Sequence, residues 1–135
     1  MPQGILDTST VILLRRINET RALPDEPRIT AITLAELSVG PLVATTDEER
    51  AARQAHLQAA EADFEPLPFD TAAARAFGRV AASLRRAGRK PAARTYDAMI
   101  AAIAVANELA IHTCNPDDFS GIDDLTVISI PHPDV

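Results

Sequence analysis

Four acidic residues lie far apart in the chain, each beside a point where an apolar segment starts or stops: Asp7, Glu36, Asp97 and Asp118. Carboxylates brought within a few Å of one another raise each other's pKa, so such a cluster is unfavourable unless something offsets the repulsion. A hard divalent cation, Mg²⁺ or Mn²⁺, does so directly: it accepts carboxylate oxygens, keeps several waters and leaves positions open for phosphate. A metal so held makes water a better nucleophile and stabilises charge developing on phosphorus. The chemistry to expect is phosphodiester hydrolysis. Nitrogen and sulfur ligands are not on offer, because the chain has one cysteine, Cys114, and its three histidines are scattered.

The elements that would bring these acids together can be read from the apolar pattern. GILD (4–7) reads as a short strand ending in an aspartate, and TSTVILLRRINE after it has the spacing of an apolar helix face. RITAIT (28–33) is a second strand candidate. Thr33 with Glu36 three residues on resembles a capping box, which would put Glu36 in a first helical turn. Thr46 precedes an Ala-rich helix in the same way. FEPLPF suits an outer strand. Asp70 is placed to cap the helix TAAARAFGRVAASLRRAG, with Gly88 as its stop. TYDAMIAAIAVANEL is apolar on nearly every face and should be buried, with Asp97 near its start. LAIHT reads as a strand, NPDDF as a turn and LTVISI as a last strand.

This alternation argues for one three-layer α/β domain over residues 1–135, with a mostly parallel central sheet flanked by helices. In such sheets ligands bind beyond the carboxyl ends of the strands, near the point where strand order reverses. Asp7, Glu36 and Asp118 belong on that edge, and Asp97 opens the helix leading into LAIHT. Taken singly, each acid has an ordinary role: Asp7 as a helix cap, Glu36 as a capping partner, Asp97 as a dipole partner, and Asp117 or Asp118 as a turn residue. Convergence is what separates a site from four such roles.

Charge is distributed unevenly behind a formal net charge of −6. From Arg75 to Arg94 there are seven basic residues and no acid, whereas from Thr95 to Val135 there are seven acids and no Lys or Arg. A basic surface beside an acidic metal site is what a polyanionic substrate requires. Arg85, Arg86, Arg89, Lys90 and Arg94 are therefore candidate contacts to a phosphate chain. The same run also suits a solvated face. No run of eighteen apolar residues and no signal-peptide pattern are present, so a soluble, cytoplasmic protein without a membrane partner is expected.

LDTSTVI, TLAEL, YDAMIAA and TCNPDDF occur in the order and spacing of PIN-domain ribonucleases, and over essentially its full length the chain resembles the VapC toxins of bacterial VapBC toxin–antitoxin pairs. The resemblance implies an Mg²⁺- or Mn²⁺-dependent endoribonuclease, a cognate VapB-type antitoxin and a homodimer. It also implies that Asp7, Glu36, Asp97 and Asp118 form the catalytic, metal-binding set, that Thr8 and Ser9 are its small hydroxyl neighbours, and that Asn115 shapes the last turn. Many relatives carry Arg or Asn where this chain has Cys114, which offers no cationic phosphate contact and reads as a packed small residue. The alternative is a catalytically weak or inactive PIN fold acting mainly as an antitoxin-binding module. A haloacid-dehalogenase phosphatase would want a second acid at position 9, and a receiver domain a late lysine; the chain has Ser9, and no lysine after Lys90. Within NPDDF, spacing assigns Asp118 to the metal and turns Asp117 outward, with Phe119 as a buried anchor.

Overall fold

The computed structural model describes residues 2–134. Four strands, β1 (Gln3–Leu6), β2 (Glu26–Arg28), β3 (Ile111–Thr113) and β4 (Val127–Ser129), form one sheet in the order β2-β1-β3-β4. Every pairing is parallel, with Leu6 opposite His112 and Ile5 opposite both Arg28 and Ile111. Five helices flank it: α1 (Thr8–Leu13), α2 (Ala31–Leu42), α3 (Asp47–Asp63), α4 (Thr71–Arg86) and α5 (Thr95–Ala106). Chain order runs outward from β1 to β2 on one side and to β3 on the other. The switch point therefore lies between β1 and β3, whose carboxyl ends face the same edge.

Successive strand residues point to opposite faces, and the two residues at the centre of β1 show how the layers divide. Ile5 packs with Val80 and Leu84 of α4, Ile100 and Ile103 of α5, Ile111 and Phe119. Leu6 packs on the other face with Ile17, Cys114 and Ile130. Between α4 and α5 the buried residues include Ala73, Ala76, Ala98, Ala101 and Ala102, small enough to let the two helices approach closely. The largely apolar α5 thus needs no solvent-facing stripe, as its sequence implies.

Several elements depart from the sequence reading. The second strand is Glu26–Arg28, earlier than RITAIT, while Thr30 makes only a single parallel bridge to Leu67. That bridge is all that remains of the outer strand expected at FEPLPF. Thr30, not Thr33, caps α2: its hydroxyl accepts from the Thr33 N–H at 3.2 Å. Helix α2 therefore begins at Ala31, and Glu36 lies in its second turn rather than its first. The first helix stops at Leu13 and continues as a single 3₁₀ turn, Leu14–Arg16. Thr46 and Asp70 cap α3 and α4 as expected, and Gly88, at φ 77°, ends α4 in the left-handed conformation open to glycine.

Gly4 marks a close approach. A Cβ there would stand 2.5 Å from Cδ2 and Nε2 of His112 on the neighbouring strand. The His112 Nδ1 is 2.7 Å from the Ala22 carbonyl oxygen, so it must carry the proton; Nε2 is buried without a partner. Replacing Gly4 with alanine should destabilise the fold by about 2 kcal/mol through overpacking, read as a lower urea midpoint. The double variant G4A/H112A should recover part of the loss, and equal midpoints for wild type and G4A would show that the strands can move apart freely.

Candidate active site

Asp7 follows directly on β1 and is 2 % exposed. It stands at the N-cap of α1, yet its side chain accepts no helix N–H. Instead Oδ1 accepts from the Thr10 hydroxyl and Oδ2 from the Ser9 hydroxyl, the latter at 3.0 Å. The capping role available to Asp7 on sequence grounds is therefore not the one it plays. Burial raises its pKa above the ordinary value, the hydroxyls of Thr10, Ser9 and Thr113 pull it back, and the charge on Asp118 raises it again.

A line of hydroxyls and amides ties the strand ends together. Thr10 is fully buried and its oxygen also accepts from the Cys114 N–H at 3.0 Å, linking α1 to the end of β3. Asn115 donates from Nδ2 to the Ser9 oxygen at 3.0 Å, so Ser9 relays between Asn115 and Asp7. Thr8 donates to Glu36 Oε1 at 2.7 Å. Its oxygen lies 2.9 Å from that of Thr33, and since the single Thr8 proton is committed to Glu36, Thr33 is the donor there. Glu36, half-buried, has its pKa raised chiefly by burial, opposed by the Thr8 bond and reinforced by Asp7.

Asp97 lies in the first turn of α5, where the exposed N–H groups favour a negative charge. That is not enough to keep it a normal carboxylate. Burial first, then Asp118, Asp7 and Glu36 in that order, push its pKa up to about 6, against a lowering by Arg94. The three other candidate acids thus all lie within electrostatic reach of Asp97. Among the described residues, however, no three His, Cys, Asp or Glu side chains are gathered tightly enough to clasp an ion by themselves.

Asp118 sits in the 3₁₀ turn Pro116–Phe119 after β3; Phe119 is buried, Asp118 half-buried and Asp117 exposed, the arrangement read from NPDDF. Arg94 Nη1 donates to Asp118 Oδ1 at 3.2 Å. A cleft of about 520 Å³, lined by Glu36, Ala92, Arg94, Thr95, Tyr96 and Asp97, opens beside these groups.

A family model of the PIN domain matches residues 5–125. The chain belongs to the PIN-domain family. It is 40 % identical over 130 residues to Ribonuclease VapC5 of Mycobacterium tuberculosis, covering 94 % of this chain and 93 % of that one. It is 36 % identical over 133 residues to Ribonuclease VapC4 of the same organism, covering 95 % and 97 %. Its fold matches a chain in the crystal structure of VapBC-5 of M. tuberculosis, a member of the VapBC family of toxin–antitoxin systems. That match has a TM-score of 0.84 and 38 % identity, with 96 % of this chain and all of that one covered.

Two residues of this PIN domain's acidic edge escaped the sequence reading. Thr10 hydrogen-bonds Asp7 and Thr113, fully buried at the end of β3, lowers its pKa; the LDTST spacing, with Thr10 three residues after Asp7, is the signal that could have found the first. The candidate RNA-binding run is also less free than its sequence implies. Arg86 pairs with Asp123 at 2.8 Å, Arg89 bonds Ser120, and Arg94 bonds Asp118, so part of the basic stretch closes onto the acidic one. Cys114 is buried and packed, with its thiol pKa raised by burial.

The pKa of Asp97 has a consequence for stability. In the unfolded chain its carboxyl ionises near the ordinary 3.8, whereas the native one holds its proton up to about 6. Over that window the native state binds more protons, so this group makes stability fall as pH rises from about 4 to about 6 and leaves it at the lower level above. In EDTA at pH 7, D97N should therefore be more stable than wild type by on the order of 1 kcal/mol, the figure being discounted for solvent screening. The advantage should vanish near pH 4. Urea titrations at both pH values test this, and an identical pH slope for the two proteins would contradict it.

Proposed function

We propose that this protein is a metal-dependent endoribonuclease, the toxin of a VapBC-type toxin–antitoxin pair, acting in the cytoplasm through a single nuclease domain over residues 1–135. The observation that carries the reading is the surplus of negative charge on one sheet edge, where Asp7, Glu36 and Asp118 all raise the pKa of Asp97. The named likeness to Ribonuclease VapC5 and Ribonuclease VapC4 supports RNA as the substrate. The donors are hard carboxylate oxygens, which fit Mg²⁺ or Mn²⁺. Among the described residues no three such side chains are gathered closely enough to hold an ion alone, so water would complete its shell. Asp7, Asp97 and Asp118 would hold it, with Glu36 completing the set.

When bound, such an ion supplies charge stabilisation at the scissile phosphate and lowers the pKa of an attacking water. The chain's own residues do the rest. Thr10 and Ser9 hold both oxygens of Asp7 in a fixed orientation. Thr8 steers Glu36, and Asn115 steadies Ser9. Arg85 and Lys90, both exposed at the end of α4, serve as phosphate contacts, with Arg86, Arg89 and Arg94 contributing where RNA displaces their internal partners.

The partner assignments follow the same reasoning. The likeness to a VapBC complex supports a VapB-type antitoxin. A groove of about 330 Å³ between α1 and α3, with Val11, Ile12, Leu14 and Phe64 among its lining, supports docking of an apolar antitoxin segment. Val39, Leu42, Val43 and Tyr96 are exposed apolar side chains, and they support a homodimer joined beside the cleft. No described helix is long and apolar enough to cross a membrane.

Purified free of antitoxin and given Mn²⁺, the protein should cleave RNA, stop on addition of EDTA and leave 5′-phosphate and 3′-hydroxyl ends. Products with 2′,3′-cyclic phosphate would refute water attack. D118A should cost more than the roughly 10–100-fold that loss of a metal ligand's supporting partner costs, while D117A changes the rate little. The reverse order would overturn the assignment within NPDDF.

A further inference from the structure

Arg94 ends the 3₁₀ turn Pro91–Arg94, three residues before Asp97, and lines the same cleft as Glu36 and Asp97. Of the ion pairs among the described residues, Arg94–Asp118 is the one that engages a candidate site acid. Its neighbours Arg86 and Arg89 are anchored elsewhere, on Asp123 and Ser120. The contact is a light one. Arg94 uses Nη1 alone, at 3.2 Å from Oδ1 and 3.4 Å from the Asp118 carbonyl oxygen, and both side chains are partly exposed, at 32 % and 41 %. A guanidinium offers five N–H donors, so most of its fork remains for another acceptor.

A carboxylate oxygen given to a guanidinium is not fully available to a divalent cation, and a cation held by Asp118 would repel Arg94. We infer that Arg94 is an exchangeable counterion: it holds Asp118 while no cation is bound, and on cation binding it swings into the cleft to take a backbone phosphate of the RNA. The inference rests on the metal-dependent reading above. It gives one residue two anionic partners in turn, and arginine suits both, since its planar fork matches carboxylate and phosphate alike. Metal loading and RNA grip become coupled, because the cation that Asp118 needs for chemistry also frees the arginine.

Mn²⁺ binding to metal-free protein, followed by electron paramagnetic resonance, tests the exchange without reference to activity. R94Q should bind Mn²⁺ about fivefold tighter than wild type, the scale of one partly exposed ion pair. R89Q removes the same charge from a residue bonded to Ser120, and its affinity should stay within about twofold of wild type. In saturating Mg²⁺, inorganic phosphate should bind R94Q several-fold more weakly than wild type. Equal or weaker Mn²⁺ binding by R94Q would overturn the proposal, and so would an equal gain in R89Q, which would reduce the effect to net charge. Unchanged phosphate binding would overturn the second half of the exchange. Failure of the wild type to bind Mn²⁺ would instead overturn the metal reading on which it rests.

Discussion

Asp7 is the constraint around which the rest is arranged. A carboxylate that is 2 % exposed loses most of its hydration, and burial accordingly dominates its titration. What makes it tolerable is a pair of hydroxyl donors from α1, Ser9 and Thr10, each tied in turn to the segment that follows β3. Those donors are themselves fixed, Ser9 by Asn115 and Thr10 by its bond from the Cys114 N–H. The parallel pairing of β1 with β3 is what lets residues more than a hundred positions apart meet in this way.

Around that buried acid the site is electrostatically unfinished. Asp97 feels Asp118, Asp7 and Glu36, with Arg94 the lone opposing charge among the causes of its shift. Helix α5 can hold Asp97 there because Ala98, Ile100, Ala101, Ala102, Ile103 and Ala104 are buried in the core shared with α4 and the sheet, which fixes the helix. The stability of the core and the strain of like charges are thus linked through one helix. The energy that folds the apolar segment is what keeps the acids crowded. A rigid edge that concentrates negative charge in this way fits the proposed cation site, with Arg94 the group that would have to move.

How much of this was legible in the sequence depended on whether the deciding interaction was local. The caps at Thr46 and Asp70, the stop at Gly88 and the split between Asp117 and Asp118 are set by residues within a few positions, and they stand as read. The start of α2 was misread because two threonines competed for the cap. Thr33 has Glu36 at the capping-box distance, but Thr30 is held at the strand edge by its bridge to Leu67, a contact across 37 residues that no local pattern records. The same limit hid the closure of Arg86 onto Asp123 and of Arg94 onto Asp118, where seven basic residues in sequence look like one surface until the fold pairs some of them off. The candidate acids stand out by their position at segment ends, whereas Thr10 is marked only by its place three residues after Asp7 in LDTST.

The central claim is that Asp97 exchanges its proton for the divalent cation of the proposed site. Calorimetric titration of Mn²⁺ into the metal-free protein, in buffers of different ionisation enthalpy, measures the protons released per ion bound. With the Asp97 pKa at about 6, binding at pH 6 should release about half a proton from this group, and at pH 8 almost none. Binding at pH 6 without proton release, or no binding at either pH, would contradict the account.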